Sequence, residues 1–98
     1  MLKKFKNPNY SFIEFNGITF YFKLDLNPLS KELEPHIWIR HAVEPEYVVA
    51  AYFNLSEKSY NANYKRWEAF SDEYDIYIYF MHWENNENQI IVISAGNQ

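Results

Sequence analysis

The segment from Ser11 to Lys23, SFIEFNGITFYFK, restricts the fold more than any other part of the chain. Asn16-Gly17 is a pair that accepts positive φ at both positions, as a type I′ turn requires. Residues alternate in character on either side of it. A two-residue turn there pairs Phe15 with Ile18 and Ile13 with Phe20. That register puts Ile13, Phe15, Ile18, Phe20 and Phe22 on one face, with Glu14, Thr19 and Lys23 on the other.

The rest of the chain alternates helical and strand-like signals. In LDLNPLSKELEP, Asn27-Pro28 marks a turn, and Ser30 with Glu32 and Glu34 suits the opening of a short helix that Pro35 interrupts. HIWIRHAV fits a short helix and an extended segment about equally, and the helix is the expectation. EPEYVVAAYFN reads as a helix: Pro45 suits the first helical position, Glu44 and Glu46 suit the positive end of its dipole, and Asn54 suits its stop. Val48, Ala51, Tyr52 and Leu55 form its apolar stripe.

SEKSYNANY is polar and reads as a loop, whereas YKRWEAF alternates as a strand does. YDIYIYFMHW and QIIVISA are apolar on both faces, which suits interior strands, with ENNEN turning the chain between them. The expected architecture is α+β: a mainly antiparallel sheet made of the N-terminal hairpin and three C-terminal strands, with one or two helices packed on one face.

Length and composition bound the rest. The chain's 98 residues suffice for one domain, 1–98, with residues 1–9 expected as a flexible N-terminal tail. Phe and Tyr together make 17 residues, so large rings must fill much of the core. There is no cysteine, which excludes disulfides and thiolate zinc sites and suits a reducing compartment. MLKKFKNPNY lacks the apolar stretch of a signal peptide, and no run approaches a membrane span. A cytoplasmic protein with no membrane contact is expected. From residue 7 onward there are 6 Lys+Arg against 13 Asp+Glu. A protein that holds nucleic acid through its phosphates usually carries a basic surface, and this one does not.

The residues that carry chemistry are few. His36 and His41 stand five apart, which is not the helical pair spacing, and no HExxH motif is present, so no metal is expected. With Gly17 and Gly96 as its two glycines, the chain has no glycine-rich phosphate cradle, and no cofactor is expected. No nucleophile elbow supports Ser-His-Asp catalysis. The set that suits a reaction is Arg40 and His41 with Lys65, Arg66 and His82, plus Tyr64 and Tyr79. Metal-free RNA cleavage needs a base, an acid and a cation for the phosphorane charge, roles that histidine and arginine fill. The plainer reading is that Arg40 and Arg66 pair with neighbouring carboxylates. The aromatic strand YDIYIYFMHW, if wet on its second face, exposes Tyr77, Tyr79, Met81 and Trp83 together, a patch suited to a homodimer or another protein partner.

The stretch RHAVEPEYVVAAYFN resembles the BrnT-type toxins of bacterial toxin–antitoxin pairs, within the RelE-like ribonucleases. Arg40-His41-Ala42-Val43 stands where that family has Lys/Arg-His-Gly-Val before an acidic-started helix. KRWEAF, YDIYIYFMHW, ENNEN and IIVISAG follow in the places of its later strands and turn, so that the resemblance covers roughly residues 35 to 95. Ala42 takes the place of the glycine, and Gly96 that of a basic residue. The resemblance implies a metal-independent endoribonuclease bound by a cognate antitoxin, with RNA as substrate and Arg40, His41 and Arg66 in its site. His82 joins them here because it falls near the end of a neighbouring strand. The competing reading is a non-catalytic acidic module, such as an immunity protein or inhibitor of a basic nuclease, using Glu68, Asp72, Glu73, Asp75, Glu84 and Glu87.

Overall fold

A computed structural model describes residues 7–97. The lysines of the expected N-terminal tail lie outside the described residues. Asn7 to Asn9 turn into the first strand, and Asn9 accepts a hydrogen bond from the Leu24 N–H.

The hairpin forms as its sequence demands. Strand β1 (Tyr10–Phe15) pairs antiparallel with β2 (Ile18–Leu26), with Phe15 opposite Ile18 and Ile13 opposite Phe20. Asn16 and Gly17 take φ values of 51° and 77°. The next segment differs from expectation. No helix opens at Ser30: Leu33–Pro35 forms a short strand, β3, against the end of β2. Asn27 makes the turn, its side chain accepting from the Leu29 N–H, and Pro35 is tolerated because it ends an edge strand.

Helix α1 (His36–His41) follows directly. It starts beside β2, where His36 hydrogen-bonds Asp25, and ends beside Tyr77. Ile37 enters the core. Ala42 stops the helix in the left-handed region (φ 54°, ψ 37°), its N–H returning to the Trp38 carbonyl at 2.9 Å. This conformation disfavours any residue with a Cβ. Ala42→Gly is therefore expected to raise stability by about 0.5–1 kcal/mol, the left-handed penalty less the entropy glycine adds to the unfolded chain. Thermal melts should show a midpoint higher by roughly 2–8 °C.

Helix α2 (Pro45–Tyr52) begins on Pro45 and buries Val48, Val49 and Ala51. Its end is held by Ser71, a fully buried hydroxyl that donates to the Asn54 carbonyl at 2.8 Å and accepts from the Tyr74 N–H.

The segment expected as a loop after α2 is a strand, β4 (Glu57–Asn61). It is exposed on nearly all of its residues, so its sequence has no apolar face to give it away. It pairs with β5 (Arg66–Ser71), which pairs with β6 (Ile76–His82). A 3-10 turn, Trp83–Asn85, then leads to β7 (Gln89–Asn97). The sheet runs β1-β2-β7-β6-β5-β4, with β3 added on β2. Every pair is antiparallel except β2 with β7. Strand β7 thus lies between the two antiparallel halves, which explains why Ile90, Ile91 and Val92 are all buried. Between Tyr79 and Phe80 the register slips, leaving Ile93 as an extra, half-exposed residue.

The core fills the face under α1 and α2. Phe20, Phe22, Ile76, Ile78, Phe80, Ile90 and Val92 from the strands meet Ile37, Val43, Val48 and Ala51. Among the described residues no helix is long and apolar enough to cross a membrane.

Candidate functional site

Alternation along β5 and β6 sends Trp67, Ala69, Ile78 and Phe80 to the helices. It sends Arg66, Glu68, Tyr77 and Tyr79 to the opposite face. On that face a row of side chains crosses the sheet. The Arg66 guanidinium lies 4.7 Å from the Tyr64 ring centroid and 4.2 Å from that of Tyr79. Tyr79 and Tyr77 are 4.9 Å apart, and the His41 ring from α1 stands 6.4 Å from Tyr77. Tyr77 in turn lies over Gly96, where an added Cβ would meet the ring and its hydroxyl at 2.9 Å. Glycine is required here for space, not for backbone conformation.

Arg66 is already neutralised. Its Nε donates to Glu68 Oε2 at 2.9 Å and its Nη2 stands 2.8 Å from the same oxygen. Asn61 donates to that oxygen as well, at 3.2 Å. A guanidinium held between two rings and a carboxylate has few directions left for a phosphate. The pair was legible: residues i and i+2 on a strand share a face, and here they carry opposite charge.

The other residues singled out lie elsewhere. Arg40 is exposed on α1, in electrostatic reach of Asp25. The hydrogen bond from His36 holds the Asp25 carboxyl below its ordinary value. His82 is on the helix-facing side of β6, against Phe80 at 5.7 Å and Trp67 at 6.5 Å. His41 of α1 thus touches one end of the Tyr77–Tyr79 row and Arg66 the other, with no contact between them, and His82 lies on the helix-facing side. Trp83, expected beside Tyr77, Tyr79 and Met81, leaves the strand in the 3-10 turn; Met81 is exposed and the two tyrosines are half-buried.

Burial chiefly, opposed by Glu87 and the Asn86 backbone and aided by Lys58, pushes the His82 imidazole below its ordinary 6.5. Its buried Nδ1 has no hydrogen-bond partner among the described residues. The fold thus favours the neutral ring. Its contribution to stability is present above pH 6.5 and is lost as pH falls through the lowered value. His82→Phe is expected to keep the packing and flatten this part of the pH profile. Urea melts of both proteins over the acid range check it through their difference.

Charge is distributed unevenly. Asp72, Glu73 and Asp75 crowd the turn between β5 and β6. Tyr47, flanked by Glu44 and Glu46, donates to the Tyr74 carbonyl in that turn at 2.7 Å. Glu57 starts β4 alongside, where the Asp72 N–H donates to Ser56. All six carboxylates belong to exposed residues, and none is in an ion pair among the described residues. Glu84 and Glu87 follow the other end of β6, away from this group. Glu44, Glu46 and Glu57 were not apparent in sequence because only the fold brings α2 and the start of β4 to this turn.

Beside Glu57 a cleft of about 390 Å³ opens on the face away from the helices, lined by Glu57, Lys58, Ser59, Glu68, Ala69, Phe70, Tyr77 and Tyr79. Among the described residues no cluster of His, Asp or Glu is arranged to hold a metal ion.

A scan against protein-family models, a search of curated proteins and a search of solved structures each give no match for this chain.

Proposed function

We propose that the chain is a non-catalytic acidic module that binds a basic protein partner, in the manner of an immunity protein or inhibitor covering a basic nuclease. The observation that carries this reading is the group of six exposed, unpaired carboxylates at one end of the sheet, beside Tyr47 and Tyr74. Opposite charge at close range steers a basic partner and fixes its register, while tyrosines supply contact area. The neutralisation of Arg66 by Glu68 supports the same reading, since it removes the central cation that phosphate chemistry would use.

A second reading, the BrnT-like endoribonuclease with a cognate antitoxin, is favoured by one arrangement. His41 and Arg66 stand at the two ends of the Tyr77–Tyr79 row. Either role is proposed for the cytoplasm.

The test combines two measurements. Titration against basic nucleases over a salt series is expected to give a complex that weakens as salt rises. Asp72→Lys/Asp75→Lys should weaken it by about tenfold or more, because attraction becomes repulsion. Induction in a bacterial host is expected to leave growth normal. Growth arrest by the wild type that His41→Ala relieves would overturn the binding module in favour of the ribonuclease.

A further inference from the structure

Strand β4 ends the sheet. It pairs with β5 on one side, and among the described residues nothing pairs with its other side. Such an edge presents unpaired N–H and C=O groups that template another strand. Natural sheets blunt an edge with proline, with a bulge or with a lysine standing over it. Glu57–Asn61 contains no proline, and its pairing with β5 runs without a register shift. Its lysine, Lys58, is turned to the helix-facing side, with Nζ 4.9 Å from the Trp67 ring centroid. Glu57, Lys58 and Ser59 of β4 all line the cleft, and alternation turns the side chains of Glu57 and Ser59 towards it.

The cleft next to this edge has a chemistry of its own. Tyr77, Tyr79 and Phe70 provide rings, and Glu57 and Glu68 provide carboxylates. That combination recognises a guanidinium or an ammonium, by ring face and by charge together. The protein already uses it once on this surface, where Arg66 sits over Tyr79 and against Glu68. Of these two carboxylates Glu68 is committed, whereas Glu57 is exposed and in no ion pair.

We propose that the free edge of β4 takes up an extended basic segment of the partner as one further strand, with an arginine or lysine of that segment seated against Glu57 at the near side of the cleft. This rests on the acidic-module reading and adds the docking mode. Alternate side chains of an added strand point to one face, so the segment it selects reads basic-x-basic, with its basic residues towards the cleft.

The probe is a synthetic hexapeptide alternating arginine and valine, titrated into the full chain while backbone amide resonances are followed. Binding is expected to shift and protect the amides of residues 57–61, to weaken with salt, and to fall about tenfold in Glu57→Lys. Methylating alternate peptide nitrogens, which leaves the protein untouched, should abolish it. Salt-sensitive binding that tolerates this methylation, or that shifts only the Asp72–Asp75 turn, overturns strand addition while the acidic-module reading stands. Absence of binding at millimolar peptide and low salt also overturns strand addition, and the nuclease titration then decides the broader reading on its own. Shifts at 57–61 that grow with protein concentration without peptide assign the edge to a second copy and overturn the proposal.

Discussion

Phe80→Ala is expected to remove about 3–5 kcal/mol of stability, the usual cost of emptying a large aromatic site in a packed core. Phe80 is fully buried on β6. Its ring stands edge-on to Tyr52 of α2 at 5.4 Å and is stacked on Trp67 of β5 at 6.5 Å. It therefore ties a helix, its own strand and the next strand to one point. None of these neighbours can close the void without moving a backbone element. Against a total of roughly 5–15 kcal/mol for a domain, the loss brings the protein close to unfolding at room temperature. Urea denaturation checks it: the midpoint should fall steeply with little change in slope. A loss below about 1 kcal/mol would mean that the site collapses freely, and that the packing described around Phe80 is wrong.

Gly96→Arg is the second large effect. The new Cβ would meet the Tyr77 ring at 2.9 Å, closer than such atoms approach, so the ring must leave its place over β7. The expected cost is about 1–3 kcal/mol, as for other overpacked sites. The functional consequence is sharper than the energetic one. Displacing Tyr77 breaks the row that runs from His41 to Arg66. If the chain were a BrnT-like nuclease lacking only its C-terminal basic residue, Gly96→Arg would restore activity. The geometry here leads to the opposite expectation: no gain of ribonuclease activity, and weaker near-ultraviolet dichroism from the disturbed tyrosines. Gly96→Arg combined with Tyr77→Ala should regain much of the lost stability, because the collision has gone. Strict additivity of the two substitutions would show that Tyr77 and residue 96 do not touch.

Which parts of this fold could be read in advance follows from how each residue is constrained. Asn16-Gly17 and its alternating flanks specify turn and register together, so the hairpin was legible down to its cross-strand pairs. Pro45 and the Val48–Ala51 stripe did the same for α2. Strand β4 was not legible: an edge strand exposed on both faces has no apolar alternation, and SEKSYN reads as a loop. Strand β3 was missed because its three residues are held by pairing with β2 and not by any pattern of their own. The parallel pairing of β2 with β7 lies between segments far apart in sequence, and no local signal encodes it. At the site, Arg66 with Glu68 was readable from strand spacing. The burial of His82 on the helix side depended on where β6 begins its alternation, and the acidic end of the sheet depended on the approach of α2 to the β5–β6 turn.

The position of β7 has a kinetic consequence. It is the sole strand that joins the β1–β2 hairpin to the β4–β5–β6 meander. Both antiparallel units can nucleate from neighbouring residues, with short turns and little entropy to overcome. Joining them requires Gln89 to meet Thr19 and Val92 to meet Phe22, a closure across most of the chain. Its topology makes that step the expected slow one, with the two local units expected to form before it. Until it is complete, the two units expose the flanks that β7 will cover, so the interval before closure is when misassociation is most probable.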